Sequence, residues 1–275
     1  MKENLGLVTI NGKKENKISV FDHGLLYGDG IYETIRVFNK RAFLFEDHLK
    51  RLFLSSKLIS LKIPYSKYQL VNLIKSAFKQ FKLNDAFIRV LITRGVGSQG
   101  IVSKSNPNVI IIVNNREFSP REKINLTISK VRRIDKSAID SKIKSLNYLN
   151  NILAKREALK KKFDDAVLLN NQDMLTEATT SNLFVVKGEK IFTPSASSGI
   201  LEGITRKAII ENFNVIEKDI SIGDLLSADE VFLSGTVNFI TSVKKIDNRI
   251  LSNFGYSKVI LDKLISLTGA GTKLI

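Results

Sequence analysis

Four stretches of the chain carry residue types whose setting could support chemistry. Lys144 stands in Ile143-Lys144-Ser145-Leu146-Asn147-Tyr148-Leu149-Asn150-Asn151, just before a helical pattern, and Tyr148 follows one turn later. Taken alone, Lys144 reads as a solvated lysine at a helix entrance and Tyr148 as a packed helix tyrosine. Glu177 lies in Leu175-Thr176-Glu177-Ala178-Thr179-Thr180-Ser181-Asn182-Leu183-Phe184. A glutamate on a strand ordinarily faces water, but Thr179, Thr180 and Ser181 make an unusually polar run for such a place. Ile204 and Thr205 open a helix after Leu201-Glu202-Gly203. Free backbone N–H groups and the helix dipole make such a start a natural phosphate site, although a threonine there is also an ordinary N-cap. Arg89 interrupts the apolar strand pattern over 86–93, where a charge lies either on a solvated face or against a buried anion. Other chemistry is bounded by composition. The absence of cysteine excludes disulfides, thiol nucleophiles and cysteine-built zinc sites. A Ser-His-Asp triad would have to use His23 or His48, the two histidines of the chain, and no His-rich metal site can form.

The elements that must position these residues follow from periodicity and turn chemistry. Residues 5–10 alternate as a strand, Asn11-Gly12 is a type I′ hairpin signal, and 18–20 is read as the returning strand. The passage Tyr27-Gly28-Asp29-Gly30-Ile31-Tyr32-Glu33 turns tightly on its glycines into a strand over 31–38. Strand pattern over 42–45 leads to a helix opened by Glu46-Asp47-His48, with Leu49, Leu52, Phe53 and Ser56 on one face and Arg51 between core positions. Ser66 with Gln69 forms a capping box for the next helix, whose apolar positions include Leu70, Leu73, Ile74, Ala77, Phe78 and Phe81. The run 108–113 is a buried strand. The polar stretch 114–122 with Pro120 is the best linker candidate, which divides the chain into domains 1–118 and 119–275. Beyond it the pattern gives a strand at 125–131, a helix at 146–162, strands at 165–169, 182–186, 190–193 and 231–236, a helix opening at Ile204-Thr205, and a final helix at 256–267.

A chain of 275 residues can bury a large core. No signal-peptide core follows Met1, and the strongly apolar run 109–113 is far too short to span a bilayer, so a cytoplasmic protein without membrane contact is expected. The net charge of +16 admits a basic nucleic-acid-binding protein as a remote alternative. Its lysines are nevertheless spread along the chain. The run Lys160-Lys161-Lys162 closes a helix, where the dipole favours cations. No nucleic-acid motif accompanies them, and no nucleic-acid partner is expected.

The stretches around Lys144, Glu177 and Thr205, together with Tyr27-Gly28-Asp29-Gly30-Ile31-Tyr32-Glu33, resemble the class IV aminotransferases in order and spacing over nearly the whole chain. That resemblance implies an α+β, two-domain fold type IV enzyme. Its N-terminal α/β domain is small, and its larger C-terminal domain is β-barrel-like with flanking helices. It also implies pyridoxal 5′-phosphate as cofactor, with Lys144 as the Schiff-base lysine and catalytic acid and base. Glu177 would face the pyridine nitrogen and Tyr148 the phenolic oxygen. Arg51, at a His-x-x-Arg-Leu position, would join Ile204, Thr205 and Thr236 around the phosphate, a role that suits its planar fork of donors. Tyr32, Arg89, Thr236 and Val237 would line the substrate side, and no metal is implied. Phe87-x-Arg89 matches the aromatic-x-Arg of branched-chain aminotransferases. The loop 95–100 lacks the Arg-x-His pair of D-amino-acid aminotransferases. The expected reaction is ping-pong transfer of the amino group of a branched-chain L-amino acid to 2-oxoglutarate by a homodimer. The alternative on the same scaffold is 4-amino-4-deoxychorismate lyase, which eliminates pyruvate.

Overall fold

The computed structural model describes residues 6–81, 84–97, 100–102, 105–115, 119 and 123–275. Much of the expected linker, at 116–118 and 120–122, and the Ser98-Gln99 tip of the glycine-rich loop lie outside the described residues. In chain order the first elements are β1 (Leu7–Ile10), β2 (Lys13–Lys14), α1 (His23–Tyr27), β3 (Gly30–Phe38), β4 (Arg41–Ala42), α2 (Phe45–Leu58), α3 (Lys67–Gln80), β5 (Ala86–Gly97) and β6 (Ser105–Asn115). There follow β7 (Ile124–Ile128), α4 (Leu149–Lys160), β8 (Asp165–Leu169), β9 (Leu175–Ala178), β10 (Asn182–Lys187), β11 (Lys190–Pro194), α5 (Ile204–Asn212) and β12 (Val215–Lys218). The last are α6 (Ile222–Leu226), β13 (Glu230–Gly235), β14 (Phe239–Ile246), β15 (Arg249–Ile250), α7 (Gly255–Leu267) and β16 (Thr272–Lys273).

The chain forms two compact units. The first comprises Met1–Phe118, Ile143–Asn147 and Leu267–Ile275; the second comprises Ser119–Lys142 and Tyr148–Ser266. The short segment that carries Lys144 thus packs within the first unit, although it lies beyond residue 119 in sequence.

The first unit is built on a seven-stranded sheet in the order β16-β4-β3-β5-β6-β1-β2. The two-residue period of β3 sends Ile31, Glu33, Ile35 and Val37 to one face and Tyr32, Thr34 and Arg36 to the other. The first face packs with Ile88, Val90 and Ile92 of β5 against Leu49 and Leu52 of α2 and Leu70, Ile74 and Phe78 of α3. Helix α3 starts at the expected capping box: Gln69 N–H donates to Ser66 Oγ at 3.2 Å, and Ser66 N–H to Gln69 Oε1 at 2.9 Å. Asn11 and Gly12 take φ of 50° and 80°, the positive pair a type I′ turn requires, and the chain returns as β2. No strand forms over 18–20. Instead Asp22 caps the five-residue helix α1, its Oδ1 accepting from Gly24 N–H at 2.7 Å, and Gly28 ends it in the left-handed conformation.

In the second unit, β10, β13, β14, β7, β8 and β9 are hydrogen-bonded in turn, and β9 pairs back to β10 through Glu177 and Asn182, so the sheet closes on itself as a barrel. Strands β14–β7 and β7–β8 are parallel; β10–β13, β13–β14 and β8–β9 are antiparallel. Leu126, Val167, Leu169, Leu183, Val185, Val231 and Leu233 fill one core. The alternate residues of β8, Ala166 and Leu168, pack on Ala154 and Ala158 of α4. Covered on both faces, β8 reads as the unbroken apolar run Ala166-Val167-Leu168-Leu169. Helix α4 begins at Leu149, later than the expected 146, with Tyr148 as its N-cap residue. Before it, Lys144 and Leu146 are instead hydrogen-bonded to the start of β3, as described next. This is the mixed α and β architecture with a closed barrel that the resemblance to class IV aminotransferases implied.

Candidate active site

In the first unit, the segment around Lys144 lies along the start of β3. Tyr32 N–H donates to Lys144 O at 3.0 Å, Leu146 N–H donates to Gly30 O at 2.9 Å, and Ile31 pairs with Ser145. Gly30 permits this approach, since a Cβ there would lie 2.6 Å from Ile92 O and 2.7 Å from Leu146 Cδ1. From α2, the buried Ser55 accepts from Lys144 N–H at 3.2 Å. The half-buried lysine side chain lies over Tyr32, with Nζ 4.6 Å from the ring centroid. Backbone and side chain of Lys144 are therefore both held.

One residue further along β3, Glu33 points to the opposite face and meets α2. His48 and Arg51 are one helical turn apart and reach the same carboxylate. Arg51 donates from Nε to Oε1 at 2.6 Å and from Nη2 to Oε2 at 2.9 Å, and His48 Nδ1 lies 2.8 Å from Oε2. Burial alone would raise the Glu33 pKa. The adjacent Arg51 guanidinium, with His48, overrides it and holds the carboxyl down to about 2. Burial also pushes His48 below its ordinary value, with Arg51 and Lys144 pressing the same way against Glu33. An ionised carboxylate only accepts, so His48 Nδ1 carries the hydrogen. His48 Nε2 is buried without a hydrogen-bond partner.

The outward face of β3 and β5 carries Tyr32, Arg36, Phe87 and Arg89. Thr34 pairs with Arg89 and Arg36 with Phe87, which sets the two arginines diagonally on one face. Arg89 is exposed, its Cζ 6.0 Å from the Tyr32 ring. Arg36 is buried, its Cζ 4.4 Å from the Phe87 ring and 4.8 Å from Phe38. Sequence reasoning missed Glu33 and Arg36, since a charge within a strand pattern reads as solvent-facing until its partner is known.

In the second unit, Glu177 is buried on β9 among donors. Leu201 N–H reaches Oε2 at 3.0 Å, Asn182 Nδ2 reaches Oε2 at 3.2 Å, and Arg133 Nη2 lies 3.1 Å from Oε1. Arg133 and Asn182 were also missed; no local pattern around either distinguishes it. Tyr148 is half-buried at the head of α4. One turn on, Asn151 donates to Thr179 O at 2.7 Å, which ties that helix to the Glu177 strand end. Ile204 and Thr205 are buried in the first turn of α5, whose N-cap, Gly203, supplies no side-chain acceptor. Helix α5 packs on β13, where Ser234 Oγ is buried without a partner. Thr236 and Val237 are half-buried in the turn from β13 to β14. The uncapped first-turn N–H groups, the Thr205 hydroxyl and the unpartnered Ser234 hydroxyl suit a phosphate monoester. A buried, donor-stabilised carboxylate suits a protonated ring nitrogen. The donor set therefore fits pyridoxal phosphate.

Known proteins share this sequence pattern and this fold. The family model for class IV amino-transferases matches residues 30–246. A protein of Methanocaldococcus jannaschii, provisionally named a branched-chain-amino-acid aminotransferase, is 36% identical over 258 residues, covering 90% of each chain. The aminodeoxychorismate lyase of Bacillus subtilis is 33% identical over 259 residues, covering 88% of this chain and 87% of its own. The branched-chain aminotransferase of Thermoproteus uzoniensis, solved with norvaline, superposes with a TM-score of 0.91 at 28% identity, covering 96% of this chain and 95% of that one. A branched-chain amino acid aminotransferase from T.th., solved with N-(5′-phosphopyridoxyl)-L-glutamate, gives 0.90 at 28% identity, covering 97% and 95%.

Proposed function

Because the chain belongs to the class IV aminotransferase family, we propose that it transfers the amino group of a branched-chain L-amino acid to 2-oxoglutarate, with pyridoxal 5′-phosphate as cofactor. The observation that carries this reading is the immobilised Lys144, fixed to β3 through its carbonyl and to Ser55 of α2 through its N–H, and set over Tyr32. A lysine whose backbone is pinned between β3 and α2, with its half-buried side chain over an aromatic ring, is poor material for a solvated surface side chain. Lys144 is the catalytic residue: it holds the cofactor and moves the substrate's α-proton as base and then acid. When bound, the cofactor supplies an electron sink for the α-carbon. Glu177 keeps the ring nitrogen protonated, and Tyr148 donates to the phenolic oxygen. Arg51, Ile204, Thr205 and Thr236 hold the phosphate. Tyr32, Arg89, Thr236 and Val237 contact substrate. An amino acid leaves as its 2-oxo acid, and a second 2-oxo acid then takes up the amine, so the kinetics are ping-pong.

The exposed Arg89 supports an acceptor that carries a carboxylate, since its guanidinium offers paired donors. The likeness to an aminodeoxychorismate lyase at 33% identity favours a second reading, elimination of pyruvate from 4-amino-4-deoxychorismate by the same Lys144. One experiment separates the two. The purified enzyme is given leucine with 2-oxoglutarate, and separately aminodeoxychorismate. Glutamate formed in the first, with a change in the visible band of the enzyme on adding leucine alone, supports the transaminase. Pyruvate formed only in the second overturns it.

A homodimer is part of the same reading. The segment through α1 exposes Val20, Phe21, Leu25, Leu26 and Tyr27, with Val20 at 65% and Leu25 at 61% exposure, a run of apolar surface that a second copy would cover. Sedimentation velocity should give twice the chain mass. No helix among the described residues is long and apolar enough to cross a membrane, and we place the enzyme in the cytoplasm.

A further inference from the structure

Glu177 and the start of α5 are tied together by one side chain. Asn182 heads β10, directly opposite Glu177 in the β9–β10 pair. Its Nδ2 donates to Glu177 Oε2 at 3.2 Å and to Leu201 O at 2.8 Å, while Leu201 N–H donates to the same Glu177 oxygen at 3.0 Å. Both backbone groups of Leu201 are thus taken by the Glu177–Asn182 pair. Two residues on, Gly203 is the N-cap of α5, and a Cβ there would lie 2.0 Å from Asn182 Oδ1. Gly203 has φ −67° and ψ 140°, which any L-residue adopts without strain. The glycine is therefore demanded by the close packing of Asn182 and not by backbone conformation. Arg133 reinforces the strap, donating from Nε to Gly199 O at 3.2 Å while its Nη2 meets Glu177.

We propose that Asn182 is a positioning residue, which fastens the Glu177 carboxylate to the backbone of 201–203 and so sets the distance between the ring-nitrogen partner and the phosphate-binding start of α5. The inference rests on the cofactor roles given to Glu177, Ile204 and Thr205 above. A cofactor whose ring nitrogen and phosphate are joined through one planar ring and a short arm would need those two anchors within a narrow range of separations. A shift of either loosens the other.

The test is a double-mutant cycle on cofactor binding, with Asn182→Ala, Gly203→Ala, the double variant and Glu177→Gln as control. For each, the dissociation constant for pyridoxal 5′-phosphate, the pH titration of the bound visible band, and the thermal unfolding of the cofactor-free protein are measured. Asn182→Ala and Gly203→Ala should each weaken binding about tenfold or more and shift the titration midpoint of the band. Gly203→Ala should add nothing to Asn182→Ala, because its clash partner is gone. Independent, multiplying effects of the two substitutions overturn the inference, as do wild-type affinity and titration in both single variants. If Asn182→Ala yields no folded protein, Asn182→Ser takes its place in the cycle. A Glu177→Gln variant with an unchanged titration would instead overturn the cofactor assignment itself. A changed Glu177→Gln beside an unchanged Asn182→Ala overturns only the role of Asn182.

Discussion

Glu33 grips Arg51 by both of its oxygens, at 2.6 and 2.9 Å, inside a unit where the glutamate is 1% exposed. The side-on pairing fixes the guanidinium plane and rotamer before any ligand arrives. Removing one partner of a buried, hydrogen-bonded charge pair leaves the other desolvated and uncompensated. Glu33→Gln keeps the shape and loses the charge, and should destabilise the protein by about 3–5 kcal/mol, read from the shift of the urea midpoint. A midpoint that stays put would mean that Arg51 is held by something other than Glu33.

The same cluster fixes a pH dependence. Glu33 is held at about 2 against an ordinary 4.5, so below pH 4.5 the unfolded chain takes up protons that the folded one refuses. Its stabilising contribution is complete above about pH 4.5 and is lost as pH falls toward 2, at most about 3 kcal/mol in all. His48 is also depressed, from an ordinary 6.5, so its share is complete above that value and begins to be lost as pH falls below it. Urea midpoints should therefore fall steadily from about pH 7 downward, and Glu33→Gln should flatten the part below about pH 4.5. A wild-type midpoint that rises on acidification would contradict the assignment of charges.

Much of the fold was readable before any coordinates, because its signals are local. Ser66 with Gln69, and Asn11 with Gly12, each specify a structure within four residues or fewer, and both form as written. Where the sequence misled, the cause was a distant partner. Residues 145–148 carry helix-compatible types, yet Lys144 O and Leu146 N–H are bonded to Tyr32 and Gly30, and α4 starts only at Leu149. Residues 18–20 have strand composition but acquire no strand partner, while α1 owes its five residues to Asp22 at one end and Gly28 at the other. The buried charges were the least legible. Nothing near Glu33 announces that Arg51 will meet it, and nothing near Arg133 points to Glu177.

On β5, the exposed Arg89 lies beside the Tyr32 ring, and the proposed function gives it a ligand's carboxylate to bind. Arg89→Ala should raise KM for the 2-oxo acid about tenfold to a hundredfold and change kcat less. Its unfolding free energy should stay within about 0.5 kcal/mol of wild type. Arg89→Lys should restore only part of the affinity, because a point charge cannot reproduce the paired donors. An unchanged KM in Arg89→Ala would remove this residue from the substrate site.

Everything proposed for the reaction passes through the amine of Lys144. The most direct measurement is borohydride reduction of the wild-type and Lys144→Ala proteins after incubation with pyridoxal 5′-phosphate. Peptide mass spectrometry and an assay of amino transfer from leucine to 2-oxoglutarate follow. The wild type should carry the phosphopyridoxyl group on Lys144, and the variant should carry none and transfer no amine. A variant that is labelled to the same extent at another lysine and turns over as fast as wild type would contradict the account.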